Sequence, residues 1–161
     1  MTAQDAAEMV RFLEEHGLEV CVDGGWAVDA LLGEQTRTHQ DLDIAIPEKH
    51  VPCLRELLSA RGFQEKPRKD SWECNFVFAD DQGRELDVHS YTLDEAGNNV
   101  HGVLYRAEYL TGKGSINGFP VRCISAEWLV KFHTGYELDE NDRHDVRALC
   151  DRFGIDLPGT G

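Results

Sequence analysis

No two of the five cysteines (Cys21, Cys53, Cys74, Cys123 and Cys150) lie close together in sequence, and the count is odd. Without a CxxC pair or Cys/His metal spacing, the sequence argues against a zinc site or a disulfide framework. Most of these cysteines sit in apolar runs, where a reduced thiol packs as a small hydrophobe. Basic residues are scarce: 16 Lys and Arg face 30 Asp and Glu, for a net charge of −14. That deficit excludes nucleic acid, or an anionic membrane, as a partner docking over a broad surface. It suits a cationic small molecule or a metal ion, and most of the acids serve solubility. No apolar run reaches transmembrane length, and Met1-Thr2-Ala3-Gln4-Asp5 lacks the basic start and apolar core of a signal peptide. A soluble cytoplasmic protein is expected. Internal repeats, low-complexity segments and interdomain linkers are also missing.

What is present suits one globular domain over residues 1–161. The hydrophobic fraction is 41% and the aromatic fraction 9%, enough for a core of its own. Ala6, Met9, Val10 and Leu13 recur at helical spacing, with Thr2 as N-cap and Gly17 as stop. Leu18 to Val22 reads as a buried strand ending at Gly24-Gly25, and Trp26 to Leu32 as a short helix closed by Gly33. Leu42, Ile44 and Ile46 alternate with Asp41, Asp43 and Ala45 in a strand ended by Pro47. Val51, Leu54, Leu57 and Leu58 give a helix up to Gly62. Trp72, Cys74, Phe76 and Phe78 pair through the Asp80–Gly83 turn with Leu86, Val88 and Ser90 as a hairpin. Trp26 and Trp72 are read as core residues. Residues 92–118 are rich in Gly and Asn, and Asn117-Gly118 predicts a tight turn before Pro120 to Ile124. Ser125 caps a helix through about Tyr136, and a last helix runs from about Asp142 to Phe153, stopped by Gly154. The fold class is α+β: a mixed twisted sheet with flanking helices, a core over about 18–124 and C-terminal helices over about 125–154.

The acids carry the chemistry. Strand alternation puts Asp41 and Asp43 on one face, their side chains about 7 Å apart. Asp87 and His89 share a face of their own strand. If the two strands are neighbours, three carboxylates converge, and such oxygen-rich sites suit Mg²⁺ with substrate phosphates as further ligands. Two such ions can clamp an in-line phosphoryl displacement. Acids set mid-run in apolar strands are costly unless something pairs with them. Gly24 and Gly25 let the backbone approach a phosphate, which the N–H groups and dipole of the helix behind them favour.

Asp23-Gly24-Gly25-Trp26-Ala27-Val28-Asp29-Ala30, Arg37-Thr38-His39, Asp41-Leu42-Asp43-Ile44 and Leu86-Asp87-Val88-His89 together resemble the DNA polymerase β-type nucleotidyltransferase superfamily. Within it, the chain resembles the small antibiotic nucleotidyltransferases. Val121-Arg122-Cys123-Ile124-Ser125 and Phe132-His133-Thr134-Gly135-Tyr136 are more similar to the short lincosamide branch than to the aminoglycoside 2''-nucleotidyltransferases. The resemblance spans about residues 20–150. It implies a nucleotidyltransferase fold and transfer of AMP from ATP to a hydroxyl of an antibiotic, a lincosamide first and an aminoglycoside second. It is also compatible with a protein-modifying nucleotidyltransferase of the toxin–antitoxin kind, or with an inactive nucleotide-binding module.

By the same resemblance, Asp41, Asp43 and Asp87 ligate two Mg²⁺ ions, and Asp87 is general base toward the acceptor hydroxyl. Gly24 and Gly25 hold the triphosphate. Lys131 contacts phosphate or is an exposed helix lysine. Arg37 pairs with phosphate or anchors its loop to an acid, phosphate being preferred. His39 and His89 orient a ligand, touch substrate, or are hydrogen-bonded structural groups. Tyr105 and Tyr136 are candidate acceptor contacts, with Glu73, Glu137, Asp142 and Asp145. A homodimer is expected by analogy only.

Overall fold

The computed structural model describes residues 1–134 and 136–157. Helix α1 (Ala3–Glu15) opens on a reciprocal cap: the Thr2 hydroxyl accepts from the Asp5 N–H while the Asp5 carboxylate accepts from the Thr2 N–H. Its buried stripe is the expected one, Ala6, Met9, Val10 and Leu13, with Ala7 added. Strand β1 (Cys21–Asp23) is shorter than the predicted run. Leu18 and Val20 are buried but lie ahead of the ladder. Helix α2 (Gly24–Leu32) begins on the glycine pair itself, because Asp23 supplies the cap through its carboxylate and the Gly24 N–H.

Strand β2 (Asp41–Pro47), helix α3 (Val51–Ala60), the short strand β3 (Gln64–Glu65), and the hairpin β4 (Asn75–Ala79) and β5 (Glu85–Leu93) follow. Trp72 lies outside β4, bridging only to Asn75, and is 48% exposed, which corrects its reading as core. The Gly- and Asn-rich stretch holds two strands that lack an apolar alternation, β6 (Asn99–Gly102) and β7 (Gly112–Ile116). The latter turns at Asn117-Gly118 into β8 (Phe119–Cys123), both turn residues adopting positive φ, 52° and 77°. Helix α4 (Ala126–Phe132) stops short of Tyr136, and the Ser125 hydroxyl is buried without a partner rather than capping it. Gly135 of the Phe132–Tyr136 motif lies outside the described residues. Helix α5 (Glu140–Phe153) starts on a second reciprocal cap, Asp139 with Asp142.

The strands form one mixed sheet in the order β3-β4-β5-β2-β1-β8-β7, with β6 added to β5. β2 lies between β5, to which it runs parallel, and β1, to which it runs antiparallel. This central pairing matches residues of like kind. Leu42 meets Leu86 and Ile44 meets Val88 on the buried face, while Asp43 meets Asp87 on the other. All four apolar residues are fully buried, at about 1.5–3 kcal/mol of stabilisation each. A one-residue slip would put both acids into the core, so burial of the apolar face fixes the register of the acids.

Candidate active site

The pairing of β1, β2 and β5 sets three aspartates in a row across the sheet: Asp23 opposite Asp43, and Asp43 opposite Asp87. Asp41 stands two residues away on the same face of β2. The predicted triplet Asp41, Asp43 and Asp87 is therefore brought together, with Asp23 extending the row.

Each acid has a distinct environment. Asn75, across from His89 on β4, donates to Asp87 Oδ1 at 2.8 Å and to the Val88 carbonyl at 3.1 Å, which fixes the Asp87 carboxylate. His89 Nε2 lies 3.4 Å from Asp43 Oδ1 and 3.5 Å from Asp87 Oδ1, bridging the two. Burial pushes Asp43 up to about 7, the His89 hydrogen bond opposing and the charges of Asp41 and Asp87 adding. Burial also raises Asp41, reinforced by the charges of Asp87 and Glu85. His89 answers in the other direction. Burial disfavours its charged ring, but the Asp43 hydrogen bond and the charges of Asp87, Asp43 and Asp23 outweigh this and lift it to about 9. The row is thus a concentration of negative charge with one imidazole as its counter-ion, and Asp43, Asp87 and His89 could together hold a metal ion.

The glycine pair faces this row, and both glycines are needed for close approach. Gly24 has φ +63°, and a Cβ on it would fall 2.2 Å from Asp43 Oδ2. A Cβ on Gly25 would meet Arg37 Nη2 at 2.5 Å and His39 Nδ1 at 2.6 Å. Helix α2 can therefore point its first-turn N–H groups, which lack intrahelical partners, toward the carboxylates and the cleft beside them. That cleft, about 500 Å³, runs from Gly24 and Gly25 past Arg37–Asp41 and Asp43 to His133, Asn141 and Asp145.

The loop between α2 and β2 is held by buried acids. Asp29 is the lone carboxylate on the otherwise apolar helix α2 and is 2% exposed. It accepts from Thr36 Oγ1 at 2.5 Å and pairs with His39 Nε2 at 2.6 Å. Burial works against its charge, but these bonds hold it below the ordinary carboxylate value. Arg37 forms a two-pronged pair with buried Asp145 of α5, Nε to Oδ1 at 2.9 Å and Nη2 to Oδ2 at 2.8 Å, while Nη1 donates to the Thr38 carbonyl.

This geometry corrects several expectations. Arg37 lines the cleft with its guanidinium paired to Asp145, which is the anchoring arrangement of the two that the sequence allows. Lys131 lies outside the cleft lining: it pairs with Glu127 at 2.9 Å and covers the Trp128 ring at 4.3 Å, as an exposed helix lysine. Tyr105 is 3% exposed and gives its hydroxyl to Asp23 Oδ2 at 2.5 Å, which makes it a support for the row rather than an acceptor contact. Tyr136 is exposed beside the His133 ring, 6.3 Å between centroids, and only His133 reaches the cleft. His39 is a structural partner of Asp29, stacked on Trp26. His89, by contrast, stands among the acids. Sequence reasoning assigns no role to Asn75, Asp29 or Thr36. Of these, Asp29 carries a signal, as a lone acid in the middle of an apolar helix.

Strand-borne carboxylates beside a glycine-opened helix, on a mixed sheet of this order, define the class: the chain is a nucleotidyltransferase. The aminoglycoside-2''-adenylyltransferase family profile matches residues 6–149, and the chain belongs to that family. It is 26% identical over 155 residues to a lincosamide resistance protein of Staphylococcus haemolyticus, covering 92% of this chain and 94% of that one. It is 30% identical over 120 residues to a 2''-aminoglycoside nucleotidyltransferase of Escherichia coli, covering 73% of this chain but 64% of the relative. The fold matches a crystal structure of a lincosamide antibiotic adenylyltransferase with lincomycin bound, at TM-score 0.80 and 24% identity, over 92% of this chain and 96% of that one. It also matches an aminoglycoside 2''-nucleotidyltransferase in complex with adenylyl-2''-tobramycin, at TM-score 0.72 and 20% identity, over 93% and 88%. Among the described residues, no helix is long and apolar enough to cross a membrane.

Proposed function

We propose that this enzyme transfers AMP from ATP to a hydroxyl of an antibiotic, with a lincosamide as the acceptor class. The observation that carries the reading is the register of Asp43 opposite Asp87, with Asp41 on the same face and the α2 N-terminus directly against Asp43. The residues fit the metal that the fold class implies. Asp43, raised by burial and by its neighbours, is an anion short of cations, and the donors are carboxylate oxygens, the set Mg²⁺ prefers. Asp41, Asp43 and Asp87 would hold two Mg²⁺ ions. Bound there, these would neutralise the triphosphate and lower the pKa of the acceptor hydroxyl.

The chain's own residues do the rest. Gly24 and Gly25 let α2 bring its N–H groups to the triphosphate. Asp87, oriented by Asn75, takes the proton from the acceptor hydroxyl as that oxygen attacks the α-phosphorus and pyrophosphate leaves. His89 steadies Asp43 and Asp87 between turnovers. Alignment and charge neutralisation supply much of the rate. The surrounding acidity, −14 overall, favours an aminated acceptor.

The lincosamide assignment is supported by the extent of the match, which takes in 92% of this chain for the lincosamide resistance protein and 73% for the aminoglycoside relative. The name of the matched family favours an aminoglycoside as the second reading. We take residues 1–161 as one domain of a cytoplasmic enzyme, and a homodimer as its assembly. Mass spectrometry of a reaction with ATP, Mg²⁺, lincomycin, clindamycin, kanamycin and tobramycin tests the assignment. The expected result is a mass gain of one AMP on a lincosamide, absent with Asp41→Ala. An adduct on kanamycin or tobramycin alone would move the assignment to aminoglycosides, and no adduct on any drug would overturn it.

A further inference from the structure

A second cluster of metal-binding side chains lies beyond the acid row, assembled from three separate segments. Cys74 immediately precedes Asn75, His101 is on β6, Glu48 follows β2, and Glu73 precedes Cys74. His101 Nε2 lies 2.8 Å from Glu73 Oε1, 3.8 Å from Glu48 Oε1 and 3.6 Å from Cys74 Sγ. One donor atom from each of the four residues lies within 4.8 Å of every other. Sequence spacing could not reveal this, because the cysteine and the histidine are 27 residues apart and meet only when β6 folds back on β5.

Two features set it apart from a chance group of surface acids. Cys74 is fully buried, yet its sulfur points at the exposed ring of His101. A single ring nitrogen also faces two carboxylates and a thiol, and the one hydrogen it can carry serves one carboxylate at a time. A cation between the four would satisfy all. Tetrahedral coordination with bonds of about 2.0–2.3 Å spaces its donors about 3.3–3.7 Å apart; the 3.6 and 3.8 Å spacings around Nε2 fit this, and the 2.8 Å hydrogen bond to Glu73 would open by about half an ångström on binding. Sulfur, imidazole and carboxylate together suit a borderline ion of the zinc type, and not the Mg²⁺ that an all-carboxylate site favours.

We propose that Cys74, His101, Glu73 and Glu48 form a site for a zinc-class divalent ion, separate from the acid row. Binding displaces one proton from the Cys74 thiol and ties β6 and the turn after β2 to the segment entering β4. Because Asn75 is the next residue and holds Asp87, the bound ion also braces the support of Asp87.

Titration of the reduced, metal-free full chain with Co²⁺ tests this, read by the thiolate-to-cobalt charge-transfer band and the visible bands of tetrahedral cobalt. The expected result is both signals saturating at one equivalent. They should persist in Asp43→Asn and in Cys53→Ser, which removes the exposed thiol. Cys74→Ser should abolish the charge-transfer band. His101→Ala, at an exposed position, should weaken binding about tenfold or more. A titration with no charge-transfer band overturns the site, as does a band that survives both Cys74→Ser and His101→Ala or disappears with Asp43→Asn.

Discussion

The half-buried and buried aspartates fall into two sets, one on the helices and one on the sheet, and they are treated in opposite ways. Asp29 and Asp145, on helices α2 and α5, have a partner for every oxygen: Thr36 and His39 for one, both prongs of Arg37 for the other. Asp29 is held below its ordinary pKa as a result, and Arg37 is raised by its bonds to Asp145. Asp41 and Asp43, on strand β2, face one another, Asp87 and one imidazole, and both are raised. The same residue type is structural where its charge is matched and available where it is not. A carboxylate that the fold leaves short of cations is one whose partner arrives with the substrate.

The sharpest way to break this comparison is at the sheet. Asp87→Asn keeps the shape and the Asn75 contact but removes the proton acceptor. It should lower the rate of adduct formation by about 10²–10⁴-fold, measured as initial rates, while nucleotide titration shows ATP–Mg²⁺ still bound. An equal loss of binding and rate would show that Asp87 acts as a metal ligand alone and not as a base.

The next effect is on stability and has opposite signs in the two sets. Arg37→Ala strands Asp145, which is 3% exposed, and should cost about 3 kcal/mol. For a chain of this size that is a fall in Tm of about 6–12 °C by calorimetry. Asp43→Asn should instead raise Tm by a few degrees at pH 8 without metal, because it removes a charge that the fold disfavours. If both substitutions destabilise alike, the division between matched and unmatched acids fails.

Much of this arrangement is legible in the sequence. The alternation in Asp41–Ile46 and Leu86–Ser90 specifies both strands and the face of each acid, since a period of two leaves no other choice for a half-buried strand. What alternation cannot specify is which strands pair, so from sequence the convergence of Asp43 on Asp87 stays conditional. Asn75 and Tyr105 escape because their roles depend on long-range contacts, across 12 and 82 residues. Strands β6 and β7 escape because they carry few apolar residues and lean on the sheet already built. The anchoring of Arg37 escapes for a related reason: nothing local announces that Asp145, 108 residues away, closes on it.

A smaller effect is the pH profile of stability. Asp29, Asp5, Asp80 and Glu85 are held below their ordinary values, so their contribution is present above the unfolded pKa and is lost as pH falls through the acid range. Asp43 runs the other way: raised to about 7, it costs stability as pH rises from about 4 through 7. His89, raised to about 9, contributes fully below its unfolded pKa near 6.5, and that contribution fades as pH climbs to about 9. Tm in EDTA should therefore peak between about pH 4 and 7. Mg²⁺ should flatten the alkaline arm by a few degrees and leave the acid arm unmoved. An acid arm that shifts equally with Mg²⁺ would mean that these paired acids are also open to the ion.

The smallest effect tests the link between the row and the helix. The Tyr105 hydroxyl holds Asp23 Oδ2 while Asp23 Oδ1 caps α2 at the Gly24 N–H. Tyr105→Phe removes the first bond and keeps the ring packing against Tyr91 and Phe132. Stability should fall by about 1 kcal/mol. If Asp23 sets the direction of α2, the KM for ATP should rise a few-fold with kcat nearly unchanged, because the first-turn N–H groups meet the triphosphate in ground and transition state alike. A fall in kcat without a change in KM would mean that Asp23 acts on the acids across the sheet, through its pairing with Asp43, and not on the helix it caps.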